Sequence, residues 1–450
     1  MKPVEKPSAM TRRDAVKTLG LVGSAGLWAT TGQAAGSAEA ASAGALGSAH
    51  ELFEQYERRF AEARLRMPER NPAVPADREA IAQIVQECLG VRRSWVPKIQ
   101  AEKVREAAFD GGRIEMLRAT SWPGVTATAL LYLPAPSPPQ PLPLVVLCCG
   151  HGQGGKLADG YQRMARQITR RGAMVLCPDN LGQGERVAMG HGHCVKPFAC
   201  GLSVQGLIVM ETLGWIAWAL QEPRVDPRRA AAVGNSGGGT LTVFLAALCP
   251  ELAVLSSSGY PSTFEFVARK EKKHCHCNLL PGVVGRVEMW HLLGSFAPRP
   301  LFIFQGDGDP LFPADLFFHT ARKIRQVYRA LRAEPSFESR VVTGGHSWDA
   351  PRRVALGKFL SRHLGLQPSL PEENEQESVL TPADRCLESW PADALSTDAL
   401  AEQLAGRRVD DNTRLWDVYP PAVARNVPLD DISPRGSTRQ ILAQFEAFLR

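Results

Sequence analysis

Six short, largely apolar segments recur between residues 144 and 342, and stretches of helical pattern separate most of them. The segments are Leu144–Cys149, Ala173–Cys177, Ala230–Val233, Leu252–Ser256, Pro300–Phe304 and Arg340–Val342. The intervening patterns predict helices from the loop after Cys149 to Arg171, then over Leu202–Leu220, Gly237–Leu248, Pro313–Leu331 and Pro351–His363. Strands without polar alternation are buried on both faces, which a parallel sheet sandwiched between helices satisfies. In such a sheet the chemistry gathers beyond the carboxyl ends of the strands. The residues that follow each apolar segment are therefore the ones to read.

The regions on either side follow other rules. The pattern predicts helices over His50–Arg66 and Arg78–Leu89. Strands follow at Lys103–Phe109, Arg113–Ala119 and Val125–Leu133, with a hairpin turn at Asp110-Gly111-Gly112. Six prolines lie between Pro134 and Pro143 and make a stiff connector. Past the last apolar segment, Pro368–Glu377 reads as a linker, and helices are expected at Ser396–Ala405 and Ser437–Leu449.

At the N-terminus, Arg12-Arg13 precedes a short apolar run to Trp28 and a zone of small residues, the pattern of a Tat-type export signal. The run is too short and too glycine-rich for a membrane span, so no stable membrane insertion is expected. Residues 1–35 hold five basic and two acidic residues, which is +3 of the chain's +6. The remaining balance, without a basic stripe, predicts no nucleic-acid partner.

The resulting division is a signal and linker over residues 1–45, a helical segment over 46–102, a main α/β domain over 103–365, and a linker with a helical appendage over 366–450. The predicted localisation is periplasmic or extracellular. Export permits disulfides. Of the ten cysteines, Cys194, Cys200, Cys275 and Cys277 lie in polar, loop-like surroundings and are the better candidates for pairing.

The first parallel strand ends in Gly150-His151-Gly152-Gln153-Gly154-Gly155-Lys156. This matches a dinucleotide loop, with Asp179 placed 24 residues after Gly155 as a ribose-binding acid. It also approaches a phosphate-binding loop, but Leu157 stands where Ser or Thr would bind magnesium. A third reading is a loop that aims a backbone N–H at a developing oxyanion. The strand near Val233 decides among them. It runs into Gly234-Asn235-Ser236-Gly237-Gly238, the G-x-S-x-G turn that projects a nucleophilic serine between a strand and a helix. Two later strands run into Gly306-Asp307-Gly308-Asp309 and Gly344-Gly345-His346. The order Ser, Asp, His is that of an α/β-hydrolase, with 73 residues from Ser236 to Asp309 and 37 more to His346.

From Lys103 to Leu364 the chain resembles bacterial α/β-hydrolases of the acetyl xylan esterase and dienelactone hydrolase-like group. The resemblance rests on Gly150-His151-Gly152 with Gly155-Lys156, on Pro178-Asp179-Asn180-Leu181-Gly182-Gln183-Gly184-Glu185, and on Val225-Asp226-Pro227 with the serine turn. Ala297-Pro298-Arg299-Pro300, Gly306 with Asp309 and Pro313, and Gly345-His346 complete it. The dienelactone hydrolases proper use Cys as nucleophile, so Ser236 sides with the esterases.

The resemblance implies hydrolysis of a carboxylic ester, with an acyl group on a carbohydrate as the expected substrate class. It also implies Asp309 rather than Asp307 as the acid, since the family pattern sets that residue three after Gly and four before Pro. In the expected mechanism Ser236 is the nucleophile, His346 the general base, and Asp309 its orienting acid. The N–H groups of Gln153 and Gly237 form the oxyanion hole.

His151 reads as structural, and Asp179 and Glu185 as residues that order loops. Trp290 and Trp348 are expected in the pocket wall. His191-Gly192-His193-Cys194 and His274-Cys275-His276-Cys277 concentrate possible zinc ligands, but in no familiar spacing. No metal and no cofactor is assigned. The rival readings are a prolyl-oligopeptidase-like peptidase and a catalytically silent binding protein on the same fold.

Overall fold

Gly111 and Gly112 turn β1 (Gln100–Phe109) back onto β2 (Gly112–Thr120), and β3 (Thr126–Pro134) follows antiparallel to β2. In the computed structural model, residues 78–136, 139–152, 154–269, 275–283, 286–367 and 380–418 are described. The predicted export signal, the helices at 50–66 and 437–449, the linker at 368–377, Gln153 and His274 lie outside the described residues.

The remaining strands are β4 (Leu142–Cys148), β5 (Met174–Pro178), β6 (Val225–Asn235), β7 (Val254–Ser258), β8 (Leu301–Gly306) and β9 (Phe337–Val342). They complete one nine-stranded sheet in the order β1-β2-β3-β5-β4-β6-β7-β8-β9. The first three junctions are antiparallel and the next five parallel. The strands of the parallel part are those read from the apolar runs. Three begin at least three residues earlier than expected, among them β9, which starts at Phe337 rather than Arg340. The first strand starts at Gln100, inside the segment read as helical. β6 starts at Val225, where Leu142 pairs with Val225 before a register shift brings Leu144 opposite Ala230.

Seven helices of eight residues or more are described: α1 (Arg78–Leu89), α2 (Asp159–Arg170), α3 (Val204–Ala219), α4 (Gly237–Leu248), α5 (Ala314–Ala330), α6 (Ala350–Leu364) and α7 (Thr397–Ala405). Their ends follow local chemistry. Ser203, Asp349 and Ser396 accept hydrogen bonds from the Gly206, Arg352 and Ala399 amides, and α6 and α7 stop at left-handed Gly365 and Gly406. Helix α3 is apolar on all sides and almost wholly buried, as a helix enclosed within a large domain must be. No described helix is long and apolar enough to cross a membrane.

Alternate residues of the strands feed two cores, one on each face of the sheet. Leu144, Val146 and Leu176 face one; Val145, Leu147 and Val175 face the other. Trp290 and Trp348 belong to these cores, at 8% and 5% exposure. The described part of the C-terminal segment is tied to the sheet domain through polar contacts. Gln162 bonds the Leu380 backbone in both directions, and Thr397 Oγ1 donates to the Gly190 carbonyl at 2.7 Å.

Candidate active site

Register brings the critical loops together. Cys148 of β4 lies opposite Gly234 of β6, Asn235 opposite Ser258 of β7, and Gly306 of β8 opposite Val342 of β9. The loops that follow β4, β6, β8 and β9 therefore leave the same edge of the sheet.

Ser236 sits between β6 and α4 with φ 60° and ψ −123°, a conformation that costs a non-glycine residue on the order of 1–3 kcal/mol. Tight packing holds it there. A Cβ on Gly234 would lie 2.2 Å from the Gly238 carbonyl oxygen, and one on Gly238 would lie 2.1 Å from that of Cys148. Only glycine lets strand and helix approach so closely. Gly237 is the first residue of α4, so its N–H belongs to the unpaired set at a helix start.

His346 Nδ1 lies 2.6 Å from Asp309 Oδ2. Its Nε2 is buried and has no hydrogen-bond partner among the described residues. Asp309 Oδ1 accepts the Leu311 amide at 2.9 Å and the Phe312 amide at 3.3 Å. Burial raises the Asp309 carboxyl, but the hydrogen bonds from His346, Leu311 and Phe312 outweigh it and hold the group below the usual range. Asp307 is engaged elsewhere, accepting the Gly344 amide at 2.9 Å. Asn235, the neighbour of Ser236, donates through Nδ2 to the His346 carbonyl at 3.3 Å.

Arg352 completes the support, and nothing in the sequence distinguished it from a surface helix charge. Its side chain is fully buried. Nη1 donates to Asn235 Oδ1 at 2.8 Å and to Ser258 Oγ at 2.6 Å, and Nη2 donates to the Gly345 carbonyl and faces Asp309 Oδ2 at 3.5 Å. One guanidinium thus ties together the loops that carry Ser236, Asp309 and His346.

The loop after β4 is pinned by the lysine of its near-phosphate-loop motif. Lys156 is wholly buried, with Nζ 2.5 Å from both Asp179 Oδ2 and Glu185 Oε1. Burial pulls the ammonium pKa down, and the adjacent carboxylates more than restore it. Glu185 also accepts the Cys386 and Leu387 amides at 3.0 and 2.9 Å, which joins the C-terminal segment to this loop. The order predicted for Asp179 and Glu185 has a specific partner in Lys156.

The His/Cys loops divide. His191 and Cys275 with Cys277 come together with His151, and one ligand atom from each lies within 4.8 Å of the others. His193, Cys194 and His276 are not in this group; His276 Nδ1 bonds the Cys194 carbonyl at 2.8 Å. All ten cysteines are free thiols, which corrects the disulfide expectation for Cys194, Cys200, Cys275 and Cys277. The Cys275 thiol is held far below the usual thiol range, first by its hydrogen bond with Cys277 and then by those with His151 and His191.

The sequence matches no protein-family model and no curated protein. Solved structures do match. One is described as a methylesterase, 19% identical over 70% of this chain and 69% of its own, with a TM-score of 0.54. Another is a candidate acetyl xylan esterase from Bacteroides fragilis, 15% identical over 63% and 80% respectively, with a TM-score of 0.51. A third is a glucuronoyl esterase from Solibacter usitatus, 15% identical over 64% and 92%, also at 0.51. With the mixed sheet and its strand order, these likenesses establish the fold: the chain is an α/β-hydrolase in architecture.

Proposed function

We propose that this protein is an exported serine carboxylic-ester hydrolase that deacylates carbohydrate esters. The observation that carries the reading is the His346–Asp309 pair at 2.6 Å, with the far nitrogen of His346 unpartnered, linked through Asn235 to the strained turn that bears Ser236. The fold neighbours described as a methylesterase, an acetyl xylan esterase and a glucuronoyl esterase support the substrate class. The twin-arginine pattern at Arg12-Arg13 supports export.

In the proposed mechanism the Ser236 hydroxyl attacks the ester carbonyl while His346 Nε2 takes its proton. Asp309 keeps the remaining proton on Nδ1 and stabilises the imidazolium. The tetrahedral oxyanion is held by the Gly237 and Gln153 N–H groups. His346 then protonates the departing alcohol, and a water activated the same way releases the acid from Ser236.

A panel of esters tests this: acetyl and longer acyl esters, acetylated xylosides and methyl esters of uronic acids, against the wild type and Ser236→Ala. Short acyl esters are expected to be cleaved, with the variant losing a factor on the order of 10⁴–10⁶ in kcat. Unchanged turnover in Ser236→Ala would sink the mechanism, and cleavage of peptides instead of esters would sink the substrate class.

A further inference from the structure

The geometry points to a zinc-type metal site formed by His151, His191, Cys275 and Cys277, at the back of the loop that carries the proposed oxyanion donor. Two imidazoles and two thiols are a donor set that selects Zn²⁺ in tetrahedral coordination, and two thiolates with two neutral imidazoles leave the site uncharged with the dication. Ordinary Zn–S and Zn–N bond lengths imply ligand separations of about 3.3–3.8 Å around a tetrahedron. Here His151 Nε2 lies 3.1 Å from Cys277 Sγ and 3.1 Å from His191 Nε2, and all four atoms fall within 4.8 Å of one another. Side-chain adjustments of under about an ångström close the difference.

The surroundings are arranged as metal ligands require. His191 Nδ1 lies 2.7 Å from the Leu181 carbonyl, which must accept a proton from it. That fixes the tautomer and leaves the Nε2 lone pair facing the cluster. The Gln183 amide reaches this same nitrogen at 2.9 Å, and is the group an ion would displace. The Asn278 side-chain amide approaches Cys277 Sγ at 3.6 Å, a donor suited to a thiolate. Cys277 and His191 are buried while His151 is exposed, so an ion has a way in.

The four ligands come from three connections: after β4, after β5, and between β7 and β8. An ion would cross-link them. It would also set the state of His151. A Cβ on Gly237 would lie 2.7 Å from His151 Nδ1, so that nitrogen faces the turn bearing Ser236. Metal on Nε2 places the proton on Nδ1, the side toward Gly237, and both cysteines bind as thiolates, with any remaining thiol proton released to solvent. The ion's role is to hold the loop; no step of ester hydrolysis is routed through it.

The test is metal binding by the full-length protein, read without an activity assay. Purified protein is analysed for metal, stripped with chelator under reducing conditions, and titrated with Zn²⁺ and with Co²⁺. One ion per chain is expected, together with a thiolate-to-cobalt charge-transfer band and the intense visible bands of tetrahedral cobalt. Cys277→Ser should lose this spectrum, whereas Cys200→Ser and Ser236→Ala should keep it. The last variant separates this site from the esterase reading. Should Cys277→Ser fail to fold, His151→Ala, whose side chain is exposed, must still weaken binding by about tenfold or more. A folded, reduced wild type that gives no cobalt spectrum overturns the site, as does equal binding by His151→Ala or a persistent Cys275–Cys277 disulfide.

Discussion

Arg352 Nη2 stands 3.5 Å from Asp309 Oδ2, and neither side chain has any exposure to solvent. The oxygen it faces is the one 2.6 Å from His346 Nδ1. The buried positive charge of Arg352 helps keep the carboxylate ionised. Nη1 donates to Asn235 and Ser258, and Nη2 also donates to the Gly345 carbonyl.

Removing that guanidinium takes the facing positive charge from buried Asp309 and strips a donor from Asn235 Oδ1, Ser258 Oγ and the Gly345 carbonyl. Arg352→Ala is therefore expected to destabilise the fold by about 3–5 kcal/mol, the usual cost of breaking a buried charged pair. Arg352→Lys keeps the charge but cannot fork to Asn235 and Gly345 at once, and should fall between the two. Denaturant unfolding of the three proteins checks the order.

Asp309 and Asp307 are two residues apart with different partners. In the proposed mechanism Asp309→Asn lowers kcat by about 10⁴ through the wrong imidazole tautomer. Asp307→Asn removes one acceptor at an exposed turn and should change kcat by less than about tenfold. Steady-state kinetics on one acyl ester distinguish them, and the reverse result would move the acid to Asp307.

The oxyanion donor proposed at Gln153 is a backbone group. Gln153→Ala should leave kcat nearly unchanged, whereas Gln153→Pro, which has no N–H, should cost about 10²–10³. Equal, small effects of both substitutions would remove this residue from the oxyanion hole.

Glu288 is fully enclosed, and burial pushes its carboxyl up to about 7, against hydrogen bonds from the Phe264, Glu265 and Met289 amides. The folded state therefore holds a proton that the unfolded chain releases near pH 4.3 or so. This group's contribution to stability is fully present below the unfolded pKa and is lost as pH rises through about 7. Glu288→Gln does not titrate. The stability of the wild type relative to this variant should fall from about pH 4.3 to about pH 7 and then level off. Urea midpoints of both proteins across that range measure it, and a pH-independent difference would contradict the assignment.

Much of the architecture was legible because its signals are local. Leu144–Cys149 and Ala173–Cys177 announce buried parallel strands by composition alone. Gly234, Gly237 and Gly238 announce the serine turn. The candidate triad was legible for a related reason, since each member directly follows a strand and the fold brings such positions to one edge. The strand start at Gln100 was missed because β1 is mostly exposed, so burial left no apolar pattern to read.

What the sequence by itself determined is the set of elements and the residues available at the strand ends. Tertiary structure alone decided which distant side chains meet. Arg352 sits on a helix start that reads as solvated, and becomes a buried tie only because β6, β7 and the loops after β8 and β9 converge on it. His151 reads as a loop residue, and the two His/Cys loops show no zinc spacing. His151 and Cys277 are 126 residues apart and meet at 3.1 Å because the connections after β4, β5 and β7 fold over one another. Position along the chain is informative for groups that each follow a recognisable strand, as Ser236, Asp309 and His346 do. Groups brought together by packing from separate loops leave no such trace.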